Sequence, residues 1–161
     1  MDDAFALRLE DYQCENGGIV IANPNAPTGI RQSEEFLRAV IEANPNVVVI
    51  IDEAYADFSG YTALPLVDEY ENVVVVQTFS KSRSMAGMRI GHAIGNAKLI
   101  KAMNDVRYSF NSYPMTRLSV ALGVAALSDQ DYFEETTAKI VATRERTKQA
   151  LTEPVSYTHL T

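Results

Sequence analysis

Residues 73–91 read VVVVQTFSKSRSMAGMRIG, an apolar run that passes directly into a loop rich in hydroxyl and basic side chains. Four consecutive valines without polar alternation are typical of a strand buried on both faces of a parallel sheet. In open α/β sheets, ligands bind where such strands reach their carboxyl edge. This stretch therefore predicts an α/β fold with functional residues in the loop after the strand.

The loop contains Lys81, where partial desolvation would favour the neutral amine with its free lone pair. Such an amine forms Schiff bases with aldehydes. Thr78 and Ser80 offer hydroxyl donors nearby, and Arg89 offers a fork of donors suited to phosphate. The segment predicts a nucleophile beside a phosphate site, and an exposed loop lysine is the alternative.

A second apolar run, residues 47–51, is followed by Asp52, so that an acid lies where a parallel strand reaches its carboxyl edge. An aspartate there can stay ionised against a protonated pyridine nitrogen, the partner that pyridoxal phosphate requires to draw electrons from a carbanion. Tyr55 could hydrogen-bond the phenolic oxygen of that ring. A helix N-cap or turn role for Asp52 and a core position for Tyr55 are the alternatives.

Three motifs follow one another along the chain: NPNAPTG at residues 23–29, DEAY at residues 52–55, and TFSK at residues 78–81 with Arg89 beyond it. In this order and spacing the chain resembles the fold type I aminotransferases, and within them it most resembles the histidinol-phosphate aminotransferases. The resemblance implies the three-layer α/β large domain of these enzymes, with a mostly parallel sheet, and the cofactor pyridoxal 5′-phosphate.

The resemblance also implies roles for single residues. Lys81 matches the lysine that bonds to the cofactor and moves protons at the substrate α-carbon. Asp52 matches the acid at the pyridine nitrogen, and Tyr55 matches the tyrosine at the phenolic oxygen. The positions that hold the cofactor phosphate match three residues: Thr78, Ser80 and Arg89.

One position departs from the family pattern. Many relatives have an asparagine directly before the Pro-Thr-Gly, and this chain has Ala26, whose methyl group cannot hydrogen-bond the phenolic oxygen. Asn25 or Asn23 could supply that contact after a small shift of the loop, or Tyr55 could carry it alone. The alternative for both asparagines is turn formation, which an Asn/Pro/Gly cluster supplies without a ligand.

Apolar and helical segments alternate along the chain, which indicates α/β layering. Strands are predicted at residues 18–22, 47–51, 73–79 and 90–94, and helices at residues 33–43, 97–106, 115–127 and 129–151. Ser33 is the predicted N-cap of the first helix, and residues 58–71 are predicted as a loop with one helical turn. The helix at 115–127 is apolar nearly all round and is expected to be buried against the sheet or a partner, whereas the last helix is expected to be exposed.

Composition narrows the classes of function. The chain has 161 residues, 47% of them apolar, which is enough for one domain with a core. A net charge of −7 without a dense basic cluster disfavours nucleic acid as a partner, and the apolar runs are too short for a signal peptide or membrane span. Cys14 is the sole cysteine, which fits a cytoplasmic protein. His92 and His159 lack companions at ligand spacing, so no metal site is predicted.

We interpret residues 1–151 as part of a large cofactor-binding domain, incomplete at both ends, and residues 152–161 as a non-native tail. The resemblance implies a homodimeric transaminase of histidine biosynthesis that uses histidinol phosphate and 2-oxoglutarate, with little activity expected of this stretch alone. Three alternatives stay open: an aromatic amino-acid aminotransferase, a decarboxylase of phosphorylated amino acids, and a non-catalytic domain that senses the cofactor.

Overall fold

A four-stranded sheet forms the centre of the molecule in the computed structural model, which describes residues 5–152. The strands are β1 Ile19–Ala22, β2 Val49–Asp52, β3 Val73–Thr78 and β4 Gly91–Gly95, and they lie side by side in this order. The first three are parallel, and β4 is antiparallel to β3. The predicted α/β class with a mostly parallel sheet is confirmed.

Five α-helices connect or follow the strands within the described residues. They are α1 Glu34–Ala43, α2 Leu66–Glu69, α3 Ala97–Phe110, α4 Arg117–Ser128 and α5 Gln130–Thr152. The predicted N-cap of α1 is confirmed, because the Ser33 hydroxyl accepts a hydrogen bond from Phe36 N at 3.2 Å. The single helical turn predicted within residues 58–71 is α2.

The core lies on one face of the sheet, where α1 packs. Its buried side chains come from β1, β2, β3 and the apolar stripe of α1: Ile19, Ile21, Val49, Ile51, Val73, Val75, Leu37, Val40 and Ile41. Successive strand residues point to opposite faces, so Asp52 lies on the face away from α1. On that face Val20 is 67% exposed, and residues 5–152 supply no complete second helical layer over β1.

β2 begins at Val49, two residues later than predicted, because the side chain of Asn72, and not a neighbouring strand, hydrogen-bonds the carbonyl of Val47. Asn72 Nδ2 donates to Val47 O and to Asn44 O, both at 3.0 Å, and Val49 N then donates to Asn72 O at 2.9 Å. The strand also includes Asp52, which was predicted to follow it. The acid is therefore held by the sheet itself.

The apolar helix predicted at residues 115–127 was expected to be buried against the sheet or a partner, and within the described residues the sheet does not bury it. Cover by a partner stays a prediction. In α4, Leu118 is 62% exposed and Val124 is 59% exposed. Only its small residues are buried: Ser119 Oγ donates to Met88 O at 3.0 Å, and a Cβ on Gly123 would lie 3.0 Å from Ile90 Cδ1. Close backbone approach at these small residues decides which face of α4 packs inward.

The other boundaries shift slightly. β4 runs from 91 to 95 and not from 90 to 94, and α3 continues four residues beyond its predicted end at 106. α5 is exposed as predicted, and it contains no buried residue. It ends at Thr152, so nearly all of the predicted non-native tail lies outside the described residues. No helix within residues 5–152 combines the length and the apolar character that crossing a membrane requires.

Candidate active site

The predicted site residues leave the sheet from neighbouring strands at the carboxyl edge. Ala22, Asp52 and Val76 form one row across β1, β2 and β3. Asp52 Oδ1 accepts a hydrogen bond from Ala54 N at 3.0 Å, so its carboxylate also shapes the turn after β2. Its half-buried position at the edge leaves the second carboxylate oxygen available to a ligand.

The structure brings Lys81 and Tyr55 together. Lys81 Nζ lies 5.0 Å from the centre of the Tyr55 ring, within the range of a cation–π contact. The sequence left two positions open for Lys81, partly desolvated or exposed, and within the described residues the side chain is exposed. Among residues 5–152 its amine forms no ion pair with a carboxylate, so the nitrogen is accessible from solvent.

Two of the three predicted phosphate ligands are in direct contact. Thr78 Oγ1 donates to Ser80 Oγ at 3.0 Å and accepts from Ser80 N at 3.1 Å. Thr78 Oγ1 also lies 3.2 Å from Ile90 O, which places this cluster next to Arg89 in the chain. Arg89 is exposed, has a left-handed backbone with φ 55°, and donates from Nη1 to Ala86 O at 3.0 Å. Its guanidinium therefore keeps most of its donors free for an anion.

The two asparagines near Ala26 differ in what they can reach. Asn23 is 1% exposed, and its Oδ1 accepts a hydrogen bond from Gln32 N at 2.7 Å. This bond joins the start of the loop to the segment that leads into α1. Asn23 Nδ2 is buried and has no hydrogen-bond partner within residues 5–152, so Asn23 stays open as a replacement for the missing asparagine. Asn25 is half-buried, and its Nδ2 donates to Thr28 Oγ1 at 2.8 Å, the turn role that was its alternative. Asn25 nevertheless faces the same cavity as Tyr55.

That cavity has a volume of about 630 Å³ and lies between the loop at residues 24–29, Tyr55 and helix α5. From α5 it is lined by Arg144 and Lys148, among others. Arg144 Nη1 donates to Phe58 O at 3.1 Å, so α5 is fastened to the segment that carries Tyr55. The contribution of α5 could not be predicted from local sequence, because Arg144 and Phe58 are 86 residues apart.

A polar network behind the site was missed by the sequence predictions. Glu53 is 3% exposed and accepts hydrogen bonds from Ala63 N at 2.5 Å, Thr62 Oγ1 at 2.7 Å and Gln77 Nε2 at 2.8 Å. Gln77 Oε1 lies 3.0 Å from His92 Nε2. The consecutive acids at 52 and 53 were the available signal, because strand alternation sends one of them to each face.

His92 lies at the end of this network, next to Gln77. Burial lowers the pKa of His92 below its usual value of 6.5; the Asp57 carboxylate acts in the opposite direction, and Arg83 adds to the decrease. Because Gln77 Nε2 donates to Glu53, its Oε1 is free to accept, and His92 donates from Nε2. Within residues 5–152 no group of three or more His, Cys, Asp and Glu side chains has the arrangement of a metal site.

Comparisons with known proteins give the family of this chain. The family described as aminotransferase class I and II matches residues 2–161. The histidinol-phosphate aminotransferase of Chromohalobacter salexigens is 48% identical over 151 residues, which cover 94% of this chain and 43% of that protein. That of Aromatoleum aromaticum is 50% identical over 150 residues, which cover 91% of this chain and 42% of the relative.

Solved structures give the same fold. The histidinol-phosphate aminotransferase from Sinorhizobium meliloti in complex with pyridoxal-5'-phosphate matches with a TM-score of 0.73 and 32% identity, over 81% of this chain and 36% of that one. The enzyme from Clostridium acetobutylicum matches with a TM-score of 0.85 and 24% identity, over 94% of this chain and 47% of that one, a likeness of fold alone. The chain thus spans less than half the length of the relatives it matches.

Proposed function

The chain belongs to the class I and II aminotransferase family, and we therefore propose that it forms part of a pyridoxal-phosphate-dependent histidinol-phosphate aminotransferase. The observation that carries the proposal is the accessible Lys81 amine beside Tyr55, at the sheet edge that also holds Asp52. The residues at this edge fit the cofactor, since they supply an amine, a carboxylate and a set of hydroxyl and guanidinium donors. Each of these groups has a matching part on pyridoxal phosphate.

Lys81 is the catalytic residue of the proposal. Its amine is accessible and lies against an aromatic ring, so it can bond to an aldehyde carbon and afterwards take or give a proton at the substrate α-carbon. The carboxylate of Asp52, at the sheet edge, would pair with the ring nitrogen of the cofactor. When bound, pyridoxal phosphate supplies the electron sink that stabilises negative charge at the α-carbon.

The remaining residues of the proposed site orient the cofactor. Thr78, Ser80 and Arg89 hold its phosphate, with hydroxyls from the end of β3 and a guanidinium from the turn before β4. Tyr55 would donate its hydroxyl to the phenolic oxygen of the cofactor. Asn25 lines the same cavity as Tyr55. If its hydrogen bond to Thr28 were broken, Asn25 would supply the amide that many relatives have at the position of Ala26.

The substrate assignment is supported by the names of the relatives. Curated relatives that are 47–51% identical over more than nine-tenths of this chain are histidinol-phosphate aminotransferases. We therefore assign histidinol phosphate and 2-oxoglutarate as amino donor and acceptor of the whole protein. In this reaction one amino group passes to the 2-oxo acid, and the donor leaves as its ketone.

Covalent labelling tests the assignment of Lys81. Pyridoxal phosphate is added to the natural full-length protein, the visible absorbance is recorded, and borohydride reduction followed by peptide mapping locates the label. We expect the label on Lys81 and its loss in Lys81→Ala. Lys98→Ala, at the exposed start of α3, is the matched control and should label as the unaltered protein does. A label elsewhere, or turnover retained in Lys81→Ala, would contradict the proposal.

A substrate panel with the same protein tests the donor. We expect turnover with histidinol phosphate to exceed turnover with phenylalanine or tyrosine, and we expect no release of carbon dioxide from phosphorylated amino acids. Faster turnover of an aromatic amino acid would move the protein to the aromatic aminotransferases. Cofactor binding without any turnover would favour the sensing domain.

We further propose a homodimer and a cytoplasmic location. Large apolar side chains are exposed along α3, α4 and the turn between them: Val106, Phe110, Tyr113, Leu118 and Val124. Exposed patches of this kind are typical of protein interfaces. Sedimentation equilibrium should give twice the chain mass, and a monomer at micromolar concentration would contradict this part of the proposal. The cytoplasmic location is supported by the sole cysteine, Cys14, which has no partner for a disulfide within the chain.

A further inference from the structure

Two side-chain hydrogen bonds join the segment after β2 to the segment at the end of β3. Glu53 Oε2 accepts from Gln77 Nε2 at 2.8 Å. Four residues further on, Asp57 Oδ2 accepts from the hydroxyl of Ser82. The two strands are neighbours in the sheet, yet both bonds lie beyond the last row of backbone pairing between them, Asp52 with Val76.

These bonds bracket the site on both segments. Glu53 and Asp57 lie on either side of Tyr55 in the sequence. Their partners, Gln77 and Ser82, lie on either side of the stretch 78–81, which ends in Lys81. The amine and the ring that meet at 5.0 Å therefore belong to two loops that are tied together just before and just after the contact. Neither bond involves a residue of the proposed cofactor site.

The first bond is rigid because its carboxylate is buried and fully used. Glu53 is 3% exposed, and besides Gln77 it accepts from Thr62 Oγ1 at 2.7 Å and Ala63 N at 2.5 Å. A buried carboxylate is costly to keep unless hydrogen bonds replace its water. A shift of the segment would break several of these bonds at once, so the position of Glu53 fixes that of Asp52, its neighbour on the opposite face.

The second bond differs in its surroundings. Ser82 is 4% exposed and follows Lys81 directly, whereas Asp57 is exposed. The hydroxyl therefore has its partner at the protein surface, and the bond limits how far the Lys81 loop can move from the 3₁₀ turn Ala56–Phe58 that follows Tyr55. Removing this bond disturbs no buried charge.

We infer that Glu53 and Asp57 are positioning residues, which act through Gln77 and Ser82 to hold the segment of Asp52 and Tyr55 at a fixed distance from Lys81. This inference rests on the proposed function, because the distance matters for pyridoxal phosphate spanning the two segments. Sites of this kind require their groups to be held by surrounding packing and hydrogen bonds.

The test measures the affinity of the natural full-length protein for pyridoxal phosphate, together with the wavelength and pH titration of the visible band. Ser82→Ala removes the second bond, and we expect it to weaken cofactor affinity about tenfold. Asp57→Asn keeps an acceptor for the Ser82 hydroxyl and should bind within about twofold of the unaltered protein. Ser109→Ala, at an exposed serine of α3, is the matched control.

The first bond is tested by exchange. Gln77→Met removes the hydrogen-bond donor to Glu53 and should weaken the affinity for pyridoxal phosphate about tenfold. The double variant Glu53→Gln with Gln77→Glu again places one amide against one carboxylate and should recover part of the lost affinity, because the amide at position 53 keeps only one acceptor oxygen for Thr62 and Ala63. Each variant is measured without denaturant, at a temperature well below the midpoint of its thermal unfolding. That midpoint is determined in parallel.

The outcomes separate this inference from the function on which it rests. Unchanged affinity and an unchanged visible band in Ser82→Ala and Gln77→Met would overturn the inference alone, even where their stability falls, since both bonds would then serve folding only. Absence of cofactor binding at Lys81 in the unaltered protein would overturn the proposed function and this inference together.

Discussion

The side-chain amine of Lys81 lies 5.0 Å from the centre of the Tyr55 ring, although the two residues follow different strands of the sheet. A cation–π contact at an exposed site is worth about 0.5–1 kcal/mol, enough to favour one position of a flexible lysine. Tyr55 thus has two separable features, a ring that contacts the amine and a hydroxyl that is free for the cofactor. Mutation can remove them one at a time.

Tyr55→Phe should keep the contact with Lys81 and lose one hydrogen bond to the cofactor. Since such a bond contributes about 0.5–1.5 kcal/mol, affinity for pyridoxal phosphate should fall by about 2- to 12-fold. Tyr55→Leu loses the ring as well and should bind more weakly still. An absorbance titration of the full-length protein measures both, with Tyr132→Phe on exposed α5 as control. Equal affinity in Tyr55→Phe would mean that the hydroxyl does not reach the cofactor.

Arg83 should stabilise the attachment of α4 and α5. Its Nη1 donates to Ala126 O at 2.6 Å, one of the last carbonyls of α4, and its guanidinium lies 4.0 Å from the centre of the Phe133 ring. Arg83→Met keeps most of the stem but loses both contacts, and we expect the free energy of unfolding to fall by about 1–3 kcal/mol. Urea unfolding of the chain measures this.

Arg83→Lys provides the matched comparison, because it keeps the charge without the planar guanidinium. Its free energy of unfolding should lie between those of the unaltered chain and Arg83→Met. If both variants unfold at the urea concentration of the unaltered chain, the helices are held by other contacts.

The sequence predicted the sheet edge well because long apolar runs identify buried parallel strands and their ends. Asp52 and Lys81 were assigned to the ends of two apolar strands in this way, and Thr78, Ser80 and Arg89 to one phosphate site; that the two strands are neighbours is known only from the structure. The sequence could not decide between a partly buried and an exposed Lys81, since burial of a loop residue depends on what packs over the loop. The inward face of α4 was also missed, because small residues such as Gly123 and not the large apolar ones make its contacts.

His92 should make the chain less stable as the pH falls below neutrality. Burial lowers the pKa of folded His92 below 6.5, the value expected when the chain is unfolded. As the pH falls through 6.5, the unfolded chain gains a proton that folded His92 does not yet bind, so the free energy of unfolding decreases until the pH passes the folded pKa.

His92→Gln should flatten this part of the pH profile, because its amide donates to Gln77 without titrating. Urea unfolding at about pH 7.5 and about pH 5.5 brackets the transition. A slope that persists in His92→Gln would assign the pH dependence to other groups.

Gly95 should be required for the pairing of β4 with β3. A Cβ at this position would lie 3.0 Å from Val73 O and 3.2 Å from Val74 Cγ2, closer than side chains normally approach. The backbone oxygen belongs to the sheet and cannot move aside, so Gly95→Ala should separate the two strands and lower the free energy of unfolding by about 1–3 kcal/mol.

Gly87→Ala is the matched control, because a Cβ there meets nothing within 4 Å and should change stability by about 0.5 kcal/mol or less. Thr78 pairs with Gly91 at the opposite end of the ladder from Gly95. Gly95→Ala should therefore lower the free energy of cofactor binding by less than it lowers the free energy of unfolding. Equal stability of the two alanine variants would show that β4 tolerates a shift away from β3.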